Sequence, residues 1–148
     1  MNKSNRFKIL IALLVILLLM SIRAMENQWF PESLIGFFGS EQYLTEPLPP
    51  LGFTDYFNML LRYLSNSVLS VILIFILFED KEITKFVIKL YMGAGIFLFL
   101  LFLLTLHFYQ PGNYRILFYI RRLLIHPVIL FILLPVIYFV RSRASKKL

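Results

Sequence analysis

Four long apolar stretches constrain this chain more than anything else in it. They run from Ile9 to Ile22, from about Phe57 to Phe78, from about Phe86 to Phe108 and from about Leu123 to Val140. A helix needs about 20 apolar residues to cross the hydrocarbon core of a bilayer. Lipid offers no hydrogen bonds, so a backbone inside it must satisfy its own, and helices of this length do so. Composition agrees: 59% of the 148 residues are hydrophobic, where soluble domains sit nearer to half. The expected fold is an all-α membrane protein of about four transmembrane helices in a small bundle. A single domain covers residues 1–148. Its spans lie at about 8–25, 57–78, 86–108 and 115–140, and an outer loop occupies 26–56.

The first run is short for a span, and Lys8 and Arg23 can lengthen it by snorkelling. A basic start followed by an apolar run also fits a signal peptide. However, Ser21-Ile22-Arg23-Ala24 is a poor small-x-small cleavage site, so an uncleaved helix is expected. The outer loop holds Glu26, Glu32, Glu41, Glu46 and Asp55. Within it, Trp29-Phe30-Pro31-Glu32 followed by Leu34, Ile35, Phe37 and Phe38 reads as a short interfacial helix, with Pro31 near its first turn. Pro47-Leu48-Pro49-Pro50 is extended. Glu79 to Lys85 separates the second span from the third. Gln110-Pro111-Gly112-Asn113 marks a turn, with Asn113 able to cap the helix that follows. Gly93-Ala94-Gly95 permits close helix approach, and Pro127 and Pro135 are expected to kink the fourth helix.

The net charge of +7 lies mostly at the ends of the apolar runs. With the N-terminus inside, ten of the fifteen lysines and arginines fall in cytoplasmic segments, which sets both termini on that side. No soluble basic domain remains to carry phosphate contacts to nucleic acid.

The arginines left on the outer side are not topology signals, and arginine near hydrocarbon is costly. Arg62 lies inside the second span, with Asn66 and Ser70 following on the same helix face. Arg122 and His126 share a face further on, next to Arg121. Arg23 and Glu26 are spaced to pair if the first helix continues past Ile22. These residues reach about the same depth. One polar layer of Arg23, Glu26, Arg62, Asn66, Arg121, Arg122 and His126 is therefore expected near the outer boundary. Three roles are open to it: anchoring helix depth on lipid phosphates, contacting a partner protein, or binding an anionic head group or substrate.

Catalytic chemistry is not evident. The chain has no cysteine. No apolar run contains a carboxylate for a proton relay, and no His-Glu-x-x-His or nucleotide-binding loop occurs. His107 and His126 have no carboxylate at metal-ligand spacing, and His107 reads as an interfacial residue. No catalytic residue, metal or cofactor is expected. The acids of the loops are expected to be solvated.

Three segments resemble the exosortase F system-associated membrane proteins of Bacteroidetes. They are Ile22-Arg23-Ala24-Met25-Glu26, Leu61-Arg62-Tyr63-Leu64-Ser65-Asn66-Ser67, and Phe118-Tyr119-Ile120-Arg121-Arg122-Leu123-Leu124-Ile125-His126-Pro127. Length and helix order are also similar over nearly the whole chain. The resemblance implies a bacterial inner-membrane setting beside an exosortase-type enzyme that processes proteins with a C-terminal sorting signal. Such enzymes use a cysteine, an arginine and a histidine. A chain without cysteine would be an accessory protein whose partners are that enzyme and membrane lipids. The alternative is a binding protein for an anionic lipid or lipid-linked glycan at the outer leaflet.

Overall fold

The computed structural model describes residues 3–40, 43, 46–108 and 114–145, and every regular element among them is helical. The long apolar stretches form α1 (Lys3–Ala24), α4 (Phe53–Phe78) and α5 (Lys81–Phe108), each long and apolar enough to cross a membrane. Between α1 and α4 lie two short helices, α2 (Glu26–Trp29) and α3 (Ser33–Gly39). The last apolar stretch is divided into α6 (Arg115–Ile125) and α7 (Val128–Ser145), bent by 58° at the break. Taken as one broken span, that pair makes a fourth.

Local chemistry explains the boundaries. Proline at 127 has no N–H for the helix ladder and disfavours helical geometry in the residue before it. His126 is accordingly extended, at φ −103° and ψ 146°. The single kinked helix expected over 115–140 is therefore two helices. Pro135 lies within α7 without ending it.

α4 starts earlier than residue 57, because Asp55 reaches back to the Gly52 N–H at 2.8 Å and closes its first turn. It ends at Glu79, which takes a left-handed conformation with φ 52° and donates its N–H to the Phe75 carbonyl at 2.8 Å. Asp80 then caps α5, accepting from the N–H groups of Glu82 at 2.9 Å and Ile83 at 3.2 Å. Glu79 and Asp80 alone separate the two helices, a shorter break than the expected Glu79 to Lys85.

Where one short helix was expected from Trp29 to Phe38, Trp29 ends α2, residues 30–32 are not helical and α3 begins at Ser33. The apolar face of α3 packs on α6: Phe37 meets Tyr114 edge-on at 5.4 Å, and Phe38 meets Phe118 at 5.3 Å. Residues 47–50 have no helix, as their prolines require. The turn at Gln110-Pro111-Gly112-Asn113, the cap at Asn113, Glu41, Lys146 and Lys147 lie outside the described residues.

α4 is the central element. α1 lies along it, α5 packs against it and against α6, and α6 touches it in turn. Its inner stripe is Met59, Arg62, Tyr63, Asn66, Ser67, Ser70, Leu73 and Ile74, a helical spacing with polar residues at one end. The Tyr63 hydroxyl donates to the Tyr91 carbonyl at 2.6 Å. Its ring lies against Gly95, where an added Cβ would come within 2.5 Å of Cε1. Gly93 faces open space. Many large apolar side chains on α1, α4, α5 and α7 remain exposed, Phe97 and Phe131 among them. A surface of this kind fits an apolar surround.

The two ends of the bundle differ. At one, Lys8 of α1 pairs with Glu79, and the Arg141 guanidinium of α7 donates to the Phe78 carbonyl. The beginning of α1, the α4–α5 turn and the last part of α7 therefore share that end. The other end holds the charges described next.

Candidate functional site

Residues Pro31 to Ser33 of the first loop are fixed by the first turns of α4. Asp55, Asn58 and Arg62 lie on one helix face. Asn58 Nδ2 donates to the Pro31 carbonyl at 2.7 Å, and the Ser33 N–H donates to Asp55 Oδ1 at 2.6 Å. These two bonds grip the backbone on either side of Glu32 and direct its carboxylate into the bundle, where its side chain is 1% exposed.

Glu32 Oε1 is shared by two guanidiniums. It accepts from Arg121 Nη2 and lies 3.6 Å from Arg62 Nη1, an ion pair too long to be a hydrogen bond. Nη2 of Arg62 donates to Glu26 Oε2. The Arg121 guanidinium also lies over the Phe38 ring, 5.8 Å from its centroid. Arg62 and Arg121 are 1% and 6% exposed. A guanidinium so far from water needs counter-charge close by, and the two glutamates supply it. Burial pushes Glu32 above the ordinary carboxylate value, while Arg121 and Arg62 pull it back.

Asn66 lies a turn further along α4 and serves a different need. The break at Pro127 leaves carbonyls at the end of α6 without their helical partners. Asn66 Nδ2 donates to one of them, the Ile125 carbonyl, at 2.8 Å. Ser70 Oγ donates to the Asn66 carbonyl at 2.6 Å and is fully buried.

Arg23 and His126 meet across the space between α1 and α6. Nη1 of Arg23 lies 3.0 Å from Nδ1 and 3.3 Å from Nε2 of the imidazole. The expected Arg23–Glu26 pair is not formed, because Glu26 turns to Arg62 instead. The Arg122 side chain is exposed and makes no hydrogen bond or ion pair among the described residues. It lies a turn from His126, close enough for its charge to act on the ring. The polar cluster thus has two parts. Glu32, Arg62 and Arg121 are packed inside with the half-buried Glu26 beside them, and Arg23, Arg122 and His126 form an open edge. His107 is elsewhere, exposed in the last turn of α5 with its ring edge-on to Phe108.

Glu32, Asp55 and Asn58 were not among the expected site residues, and the expectation that the loop acids are solvated fails for Glu32 and Asp55, which are each 9% exposed. One signal pointed to the two acids. The loop carries acids without a single lysine or arginine, while Arg62 and Arg121 lie in helices with no acid within a turn of them. No family model, curated protein or solved structure matches the chain.

Proposed function

We propose that this chain is a non-catalytic accessory protein of a bacterial exosortase-type protein-sorting system. In this reading it is a multi-pass inner-membrane protein with both termini cytoplasmic and α2–α3 on the outer side. It works by helix–helix contact with the enzyme. One observation carries the reading: the buried Arg62 and Arg121 are neutralised by the buried Glu32 and the half-buried Glu26. Arg62 and Arg121 are engaged by Glu26 and Glu32, so their evident task is to hold the first loop across the ends of α4 and α6. A clamp of that kind gives a fixed shape to the outer end and leaves the apolar faces of α1, α5 and α7 uncovered. Such faces suit association with other membrane helices. The three segments that resemble the exosortase-associated family also contain Arg23, Glu26, Arg62, Asn66, Arg121, Arg122 and His126.

The test is co-purification. The tagged chain and an exosortase-type enzyme from the same genome are expressed together and extracted in mild detergent. The enzyme is expected in the eluate with the wild-type chain and in reduced amount with Arg62→Leu. An eluate without the enzyme, when both proteins are present in the membrane, overturns the reading.

A second reading, a binding protein for an anionic lipid or lipid-linked glycan, is favoured by one specific observation. Arg23 and Arg122 carry positive charge that no carboxylate among the described residues answers.

A further inference from the structure

We infer that Arg23 and Arg122, beside His126 at the open edge of the buried cluster, bind the phosphate of an anionic phospholipid whose acyl chain occupies the groove between α1 and α4. The inference rests on the second reading above and names its ligand and its site.

Charge is the first ground. Four arginines, Arg23, Arg62, Arg121 and Arg122, meet two glutamates in the cluster, Glu26 and Glu32, so with a neutral His126 two positive charges are left over. Arg62 and Arg121 are buried and already paired. The excess therefore falls to Arg23 and Arg122, both of which are exposed. This moves the anion site away from Arg62.

Donor geometry is the second. A guanidinium has five N–H donors. Arg23 uses Nη1 on the His126 ring, which fixes the side chain in place and leaves its remaining donors without a partner among the described residues. The Arg122 guanidinium uses none among the described residues. Two guanidinium forks on neighbouring elements suit a group with several charged oxygens, and phosphate is such a group.

The groove is the third. An open apolar cleft of about 440 Å³ lies between α1 and α4, lined by Leu18, Ile22, Trp29, Leu64 and Val68. Ile22 precedes Arg23, so the groove begins at the level where that arginine leaves α1. The half-exposed Trp29 indole stands at its wall, a residue type suited to the boundary between head groups and acyl chains. A phospholipid engages both the arginines and the groove. Free phosphate engages the arginines alone.

The experiment uses the full chain in detergent micelles, with lipid retention read by native mass spectrometry. Phosphatidylglycerol and phosphatidylcholine are supplied separately, and inorganic phosphate is added as a competitor. The wild-type chain is expected to retain phosphatidylglycerol in preference to phosphatidylcholine. Arg23→Gln combined with Arg122→Gln is expected to weaken that retention by roughly tenfold or more, the scale of a lost charged hydrogen bond. Arg6→Gln combined with Arg143→Gln, at the other end of the bundle, is expected to leave it unchanged. Val68→Phe, which fills the groove, is expected to weaken lipid retention. Arg122→Gln alone breaks no side-chain hydrogen bond or ion pair among the described residues and keeps the test valid if the double variant is unstable. Equal retention of the two lipids by the wild-type chain overturns the second reading itself. Preference that persists in the arginine variants overturns this site while sparing that reading. Displacement by equimolar inorganic phosphate, with no effect of Val68→Phe, overturns the lipid as occupant.

Discussion

Arg62 shows how one residue can dictate the arrangement around it. Its backbone belongs to an apolar helix, and its side chain is almost completely removed from solvent. An isolated buried charge is too costly to keep, so the loop must return and deliver carboxylates. Asp55 and Asn58 make that return specific by holding the Ser33 N–H and the Pro31 carbonyl. Removing one partner of a buried pair strands the other, at a typical cost of about 3–5 kcal/mol. Glu32→Gln is expected to destabilise the protein on that scale, measured by unfolding in detergent. Glu82→Gln, which breaks the exposed Lys85–Glu82 pair at 2.9 Å, is expected to cost under about 1 kcal/mol. Similar losses for both would mean that Glu32 is not a buried counter-ion. The sequence made Arg62, Asn66 and Ser70 legible, because polar residues stand out in an apolar helix and their spacing assigns them a common face. Glu32 was less legible. Within a polar loop a glutamate is solvated by default, and only the tertiary return of the chain buries it.

The helices were largely readable as elements, and their ends were not. Apolar length identified α1, α4 and α5, yet Asp55 and Asp80 extend α4 and α5 outward through capping bonds that hydropathy does not register. Pro127 was recognised as a point of bending. The full break at His126–Pro127 also depends on Asn66, from another helix, satisfying the Ile125 carbonyl. The two glycines of α5 separate in the same way. Both permit close approach in principle, but only Gly95 has a neighbour, the Tyr63 ring. Gly95→Ala forces that ring to move and is expected to cost about 1–3 kcal/mol, the usual range for overpacking. Gly93→Ala meets open space and, by helix propensity, is expected to be neutral or slightly stabilising. The pair can be compared by thermal unfolding in one detergent. Equal effects would show that α4 and α5 do not meet at Gly95.

Taken whole, the molecule has an apolar outer surface and two unlike ends. One end carries the Lys8–Glu79 pair and the Arg141 contact with the α4–α5 turn. The other carries the cluster that fastens the first loop to α4 and α6. The overall plan was legible because hydrophobic length and charge position are properties of the chain taken in order. The clamp was only partly so, since it joins residues as far apart as Glu32 and Arg121. Its central contact can be measured most directly by a double-mutant cycle on those two residues, using Glu32→Gln, Arg121→Gln and the combined variant, with unfolding followed in detergent. Residues in one buried charge network couple by about 0.5–3 kcal/mol. The expected result is a coupling in the upper part of that range, with the combined variant losing much less stability than the two single losses added together. Simple additivity, with no coupling, would contradict the clamp.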